Sequence, residues 1–138
     1  MKLKRTYFII LFSTITLGLF SSCNKNDDEK EEECITNKTE YVTSVNSPAT
    51  GTVNQNVTIE VNFGVSNGCG GFGKFIETEN GTTRIIEVEA KYVGCICTQD
   101  APIRTTNYEF ITNTAGNYEL KFKSSPTEFI TVNLMINW

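Results

Sequence analysis

Asn113-Thr-Ala-Gly-Asn-Tyr118-Glu-Leu-Lys-Phe122 is a turn that runs into a strand. Ala115-Gly116 supplies the turn chemistry, and behind it Tyr118, Leu120 and Phe122 alternate with Glu119, Lys121 and Lys123. A period of two sends one set of side chains to a core and the other to water, the pattern of a half-buried β-strand.

The same period recurs on both sides of this stretch. Val57, Ile59, Val61 and Phe63 alternate with Thr58, Glu60 and Asn62. Ile86, Val88, Ala90 and Tyr92 alternate with Glu87, Glu89 and Lys91, and Ile130, Val132, Leu134 and Ile136 form a last strand. Shorter candidates are Glu40–Val45, Phe72–Thr78 and Thr106–Thr112. Ser47-Pro48, Asn67-Gly68, Asn80-Gly81 and Ser125-Pro126 punctuate them, and no helical period stands out. About seven short strands at this spacing predict an all-β, two-sheet sandwich.

Residues 113–122 also resemble the corner leading into the sixth strand of immunoglobulin-like domains, where a tyrosine hydroxyl caps the preceding turn. Thr50-Gly-Thr-Val-Asn-Gln-Asn-Val57 is similar to the lead-in to the second strand of bacterial Ig-like domains. The resemblance implies an Ig-like sandwich, with Leu120 standing where antibody domains carry a cysteine. Another β-sandwich or a jelly roll is the alternative.

The N-terminal segment addresses the protein. Lys2, Lys4 and Arg5 precede an uncharged stretch, Thr6–Phe20, and then Phe20-Ser21-Ser22-Cys23. A basic start, about 15 apolar or hydroxylic residues and small residues before a cysteine match a lipoprotein signal peptide. The stretch falls short of the roughly 20 residues of a membrane span. Cleavage before Cys23 would leave an acylated cysteine, anchored by about 0.8 kcal/mol per buried methylene. Next comes Asn24-Lys-Asn-Asp-Asp-Glu-Lys-Glu-Glu-Glu33, a solvated acidic run. This run resembles the surface-export signal of Bacteroidota lipoproteins. The expected organisation is a signal peptide over 1–22, a lipidated cysteine and flexible acidic tether over 23–39, and an Ig-like domain over 40–138. The resemblance implies an outer-membrane, lipid-anchored protein at the cell surface, held to the membrane by palmitate-type chains.

Composition narrows the function. Residues 1–22 hold three basic and no acidic side chains, so the remainder of the 12 basic and 16 acidic groups carries about −7. No basic stripe for nucleic acid is expected. Histidine is absent, which removes the commonest general base and metal ligand.

Cys34, Cys69, Cys95 and Cys97 make an even set, which in an oxidising compartment predicts two disulfides. In extended backbone, Cys95 and Cys97 would stand about 6.5–7 Å apart at Cα, at the upper limit for a bridge. Each is therefore expected to pair with Cys34 or Cys69, in either order. In an Ig-like sandwich these cysteines share one end, leaving Ser47–Asn56 and Thr78–Thr83 at the other. The alternative is a periplasm-facing thiolate site for copper, or a redox centre, at Cys69, Cys95 and Cys97.

Other constellations point to structure. Glu87 and Glu89 would stand about 7 Å apart on a strand, but on its polar face rather than in a cleft that splits carboxylate pKa values. Gly68-Cys-Gly-Gly-Phe-Gly73 lacks the following helix that a phosphate loop needs. Asp100 alone is far from the roughly six to eight oxygens of a calcium site. Phe72, Phe75, Tyr92, Tyr108 and Phe110 read as core more than as a sugar-stacking platform. The expected protein is not an enzyme and needs no cofactor. It is a binding, adhesion or accessory domain for a protein or glycan, with a hydrolase inhibitor as a further alternative.

Overall fold

A computed structural model describes residues 34–138. The expected signal peptide over 1–22, Cys23 and the acidic run lie outside the described residues. Nine strands are present: β1 (Ile35–Glu40), β2 (Val42–Asn46), β3 (Thr50–Thr52), β4 (Val57–Gly64), β5 (Gly70–Asn80), β6 (Thr83–Val93), β7 (Ile103–Phe110), β8 (Gly116–Lys123) and β9 (Phe129–Asn137). They form a two-sheet β-sandwich. One sheet is β2-β4-β7 and the other contains the remaining six strands.

The large sheet is organised around β6. β5 pairs along nearly its whole length as a hairpin. The opposite flank is divided, Val88–Val93 to β1 and Thr83–Ile86 to β8, the latter running parallel. β8 continues through β9 to β3, which pairs with β9 in parallel. Asn80-Gly81 makes the β5–β6 turn, and Gly81 adopts φ 62°, where a Cβ is strained. Gly51 admits a close approach, because a Cβ there would run into the side chains of Val57 and Ile136.

The alternating residues meet between the sheets. Ile59, Val61 and Phe63 of β4 face Ile86, Val88 and Ala90 of β6 and Leu120 and Phe122 of β8, all fully buried. Tyr118 forms the corner anticipated from sequence: its hydroxyl donates to the Thr114 carbonyl at 2.9 Å, and the Thr112 hydroxyl lies 2.8 Å from the same oxygen.

Two strands exceed the seven expected. β3 is three residues long, too short for a visible period. β1 occupies residues 35–40, so the folded domain begins inside the stretch assigned to the tether. On the side it shares with buried Tyr92, Ala90 and Val88 it carries Thr36, Lys38 and Glu40, of which only Glu40 is buried, so it shows no hydrophobic alternation.

Tyr108 is the largest fully buried side chain. Its hydroxyl donates to Glu77 at 2.7 Å and receives Arg84 at 3.4 Å, while Arg84 also lies over the Phe110 ring at 4.7 Å. Burial pushes the Tyr108 phenol up to about 12. Well below pH 10 the phenol is protonated in both states, so stability there is insensitive to it. As pH rises from 10.0 toward about 12, the unfolded chain loses this proton first and stability falls. We expect this alkaline loss in the wild type and its absence in Tyr108→Phe, read from urea midpoints at successive pH values.

Candidate functional site

Opposite ends of the sandwich differ in chemistry. One end gathers residue 34, the 65–69 loop and the 94–102 loop; the other gathers residues 47–56, the 80–83 turn and residues 111–115. The separation expected from sequence is therefore present.

At the first end the bridges join Cys34 to Cys95 and Cys69 to Cys97, with Cα atoms 5.0 and 5.4 Å apart. One fastens the start of β1 to the β6–β7 connection, and the other fastens the β4–β5 loop to that same connection. Their surroundings are glycine-rich for close packing. The Gly68 N–H donates to the Thr98 carbonyl at 3.1 Å, and a Cβ on Gly68 would strike the Thr98 side chain. Arg104 from β7 closes the seam by donating to the carbonyls of Gly70 and Gly68 at 2.9 and 3.1 Å.

Between these walls lies a cleft of about 420 Å³. Thr36 and Lys38 of β1 line one side, Ser66 and Asn67 another, and Gln99 with Cys34, Cys95 and Cys97 a third. Tyr92 fixes its base. The phenol oxygen accepts from the Ser66 N–H at 2.8 Å and the Ser66 hydroxyl at 3.0 Å, then donates to Glu40 Oε1 at 2.5 Å. Lys38 Nζ lies 3.1 Å from that same carboxylate oxygen. This contact holds the ammonium above the usual lysine range. Glu40 is the one buried charged residue among the described residues.

Tyr92 is thus the keystone of a buried polar network. Tyr92→Phe leaves the Glu40 carboxylate and the Ser66 N–H without their shared partner. We expect a loss of about 1–3 kcal/mol in stability, measured by urea unfolding, with a native-like fold retained.

The remaining sequence candidates are accounted for structurally. The three sulfurs of the copper or redox alternative, Cys69, Cys95 and Cys97, are all committed to bridges. Glu87 and Glu89 stand on the outer face, paired with Lys123 at 3.2 Å and Lys74 at 3.6 Å. The Gly68–Gly73 stretch leads into β5, and Asp100 accepts a hydrogen bond from the Thr98 hydroxyl. Tyr92, Tyr108 and Phe110 are buried and Phe75 is half-buried, leaving Phe72 as the exposed member of the aromatic set. No cluster of three metal-ligating side chains occurs among the described residues. Sequence reading missed the cleft itself, whose walls come from residues 36–40, 66–67 and 92–99.

The comparisons with known proteins agree with the architecture. No curated protein and no solved structure shows a significant match to the chain. A family model described as the ORF11 beta-sandwich domain matches residues 59–132. The match runs from within β4 to within β9 and takes in Cys69, Cys95 and Cys97, while Cys34 and β1 precede it. It spans more than half of the 138 residues, and the chain belongs to the ORF11 beta-sandwich domain family.

Proposed function

We propose that this protein is an envelope-anchored, surface-exposed lipoprotein whose β-sandwich acts without catalysis as a binding, adhesion or accessory domain. The observation that carries the reading is one chain joining a lipobox-like Phe20-Ser21-Ser22-Cys23 to a domain with two disulfides. Such bridges persist in oxidising compartments, where exported proteins reside. The acidic run behind Cys23 supports display on the outer face. A rigid sandwich with loops at both ends is a common frame for recognition. On its outer face Glu87 and Glu89 pair with Lys123 and Lys74.

Metabolic labelling with palmitate, followed by protease treatment of intact cells, tests this reading. The expected result is a labelled membrane protein that external protease removes, and a Cys23→Ala variant that takes up no label. An unlabelled wild type, or a labelled protein that intact cells shield from protease, contradicts anchoring or surface display respectively.

A further inference from the structure

We infer that the cleft at the cystine end binds one neutral, hydroxyl-rich ring of the size of a pyranose sugar. This inference rests on the reading of the domain as a binding module and names its ligand class. It begins with β1, where Thr36, Lys38 and Glu40 stand opposite Tyr92, Ala90 and Val88, three buried residues of β6. They share the side of the sheet that carries those buried residues, yet only Glu40 is itself buried, and Thr36 and Lys38 are exposed. Breaks of a local packing rule concentrate at functional sites. Here polar side chains stand where a core-facing strand normally carries apolar ones, and they line an open cleft.

The size and charge of the cleft select the ligand. Its volume of about 420 Å³ lies low in the roughly 300–1,000 Å³ range of small-molecule sites. Lys38 is already compensated by Glu40 at 3.1 Å. A charged ligand entering would give up hydration without meeting an unmatched opposite charge. A neutral ring of hydroxyls suits the lining better, because each hydroxyl both donates and accepts. Lys38, Thr36 and Gln99 line the cleft with polar side chains. Asn67 lines it as well, its Oδ1 accepting the Cys69 N–H at 3.0 Å. Cys34, Cys95 and Cys97 complete the lining. Both bridges hold the walls in place, so little ordering cost remains at binding.

The test uses the full chain purified from membranes in detergent, with ligand-observed NMR and calorimetric titration. Methyl glucoside, methyl galactoside and N-acetylglucosamine are the neutral probes, with glucuronate and glucosamine as charged comparators. We expect saturable binding of at least one neutral probe, weakened about tenfold or more, equivalent to about 1.4 kcal/mol, by Thr36→Trp, which fills the cleft. Gln99→Trp, on an exposed loop, provides a second blocked variant should Thr36→Trp fail to fold. The inference is overturned if no neutral probe saturates, if a folded blocked variant binds as the wild type does, or if a charged comparator binds more tightly. Acylation of Cys23 is measured on the same preparation. An acylated protein without sugar binding sinks this inference alone, whereas sugar binding by an unacylated protein sinks the anchoring reading alone.

Discussion

Replacing all four bridged cysteines by serine is expected to abolish cooperative folding at 37 °C. The Cys34–Cys95 bridge spans 61 residues and the Cys69–Cys97 bridge 28. Loop-closure entropy assigns them about 4 and about 3.5 kcal/mol respectively. Domains of this size hold only about 5–15 kcal/mol in total, so losing both removes most or all of the margin. The paired variants separate the contributions. C34S/C95S is expected to lose slightly more than C69S/C97S and also to free β1, whose amides at 36–40 then exchange quickly. Thermal unfolding and amide exchange measure both effects. Loss of less than about 1 kcal/mol from either paired variant would show that the bridges are ornamental to stability.

Phe122→Ala is the second large effect, with an expected loss of about 3–5 kcal/mol. Phe122 is fully buried on β8 of the large sheet, and its ring meets Tyr108 of the small sheet edge-on, with centroids 5.7 Å apart. Truncation therefore empties the seam between the sheets. The surrounding β-ladders, fixed by register on β6 and β9, cannot collapse to refill it. Phe129→Ala is the control. Phe129 is 40% exposed opposite Lys123 at the outer surface, and its removal is expected to cost under about 1 kcal/mol. Equal losses in urea for the two variants would contradict the placement of the core.

How far the sequence reveals this fold depends on where the apolar alternation is kept. β4, β6, β8 and β9 each bury one face and wet the other, and their residues declare it. The sequence pattern points to Thr106–Thr112 for β7, which spans Ile103–Phe110, because its early inward residues, Arg104 and Thr106, are polar. Arg104 spends its guanidinium on loop carbonyls, an interaction no local pattern encodes. β1 carries no legible alternation for the same reason, since Glu40 is its one buried residue. The cysteines were legible as two crossing partners, but their order depends on which wall of the end each loop reaches. The cleft was the least legible feature. Lys38, Ser66 and Gln99 carry no shared motif, and only the folding of three distant segments onto Tyr92 brings them together.

The most direct test of the whole account is an intact-mass and non-reducing peptide map of the natively expressed membrane protein. The account predicts a chain beginning at acylated Cys23, with Cys34 joined to Cys95, Cys69 joined to Cys97 and no alkylatable thiol. A water-soluble, unacylated protein whose Cys95 and Cys97 react without reductant would contradict it.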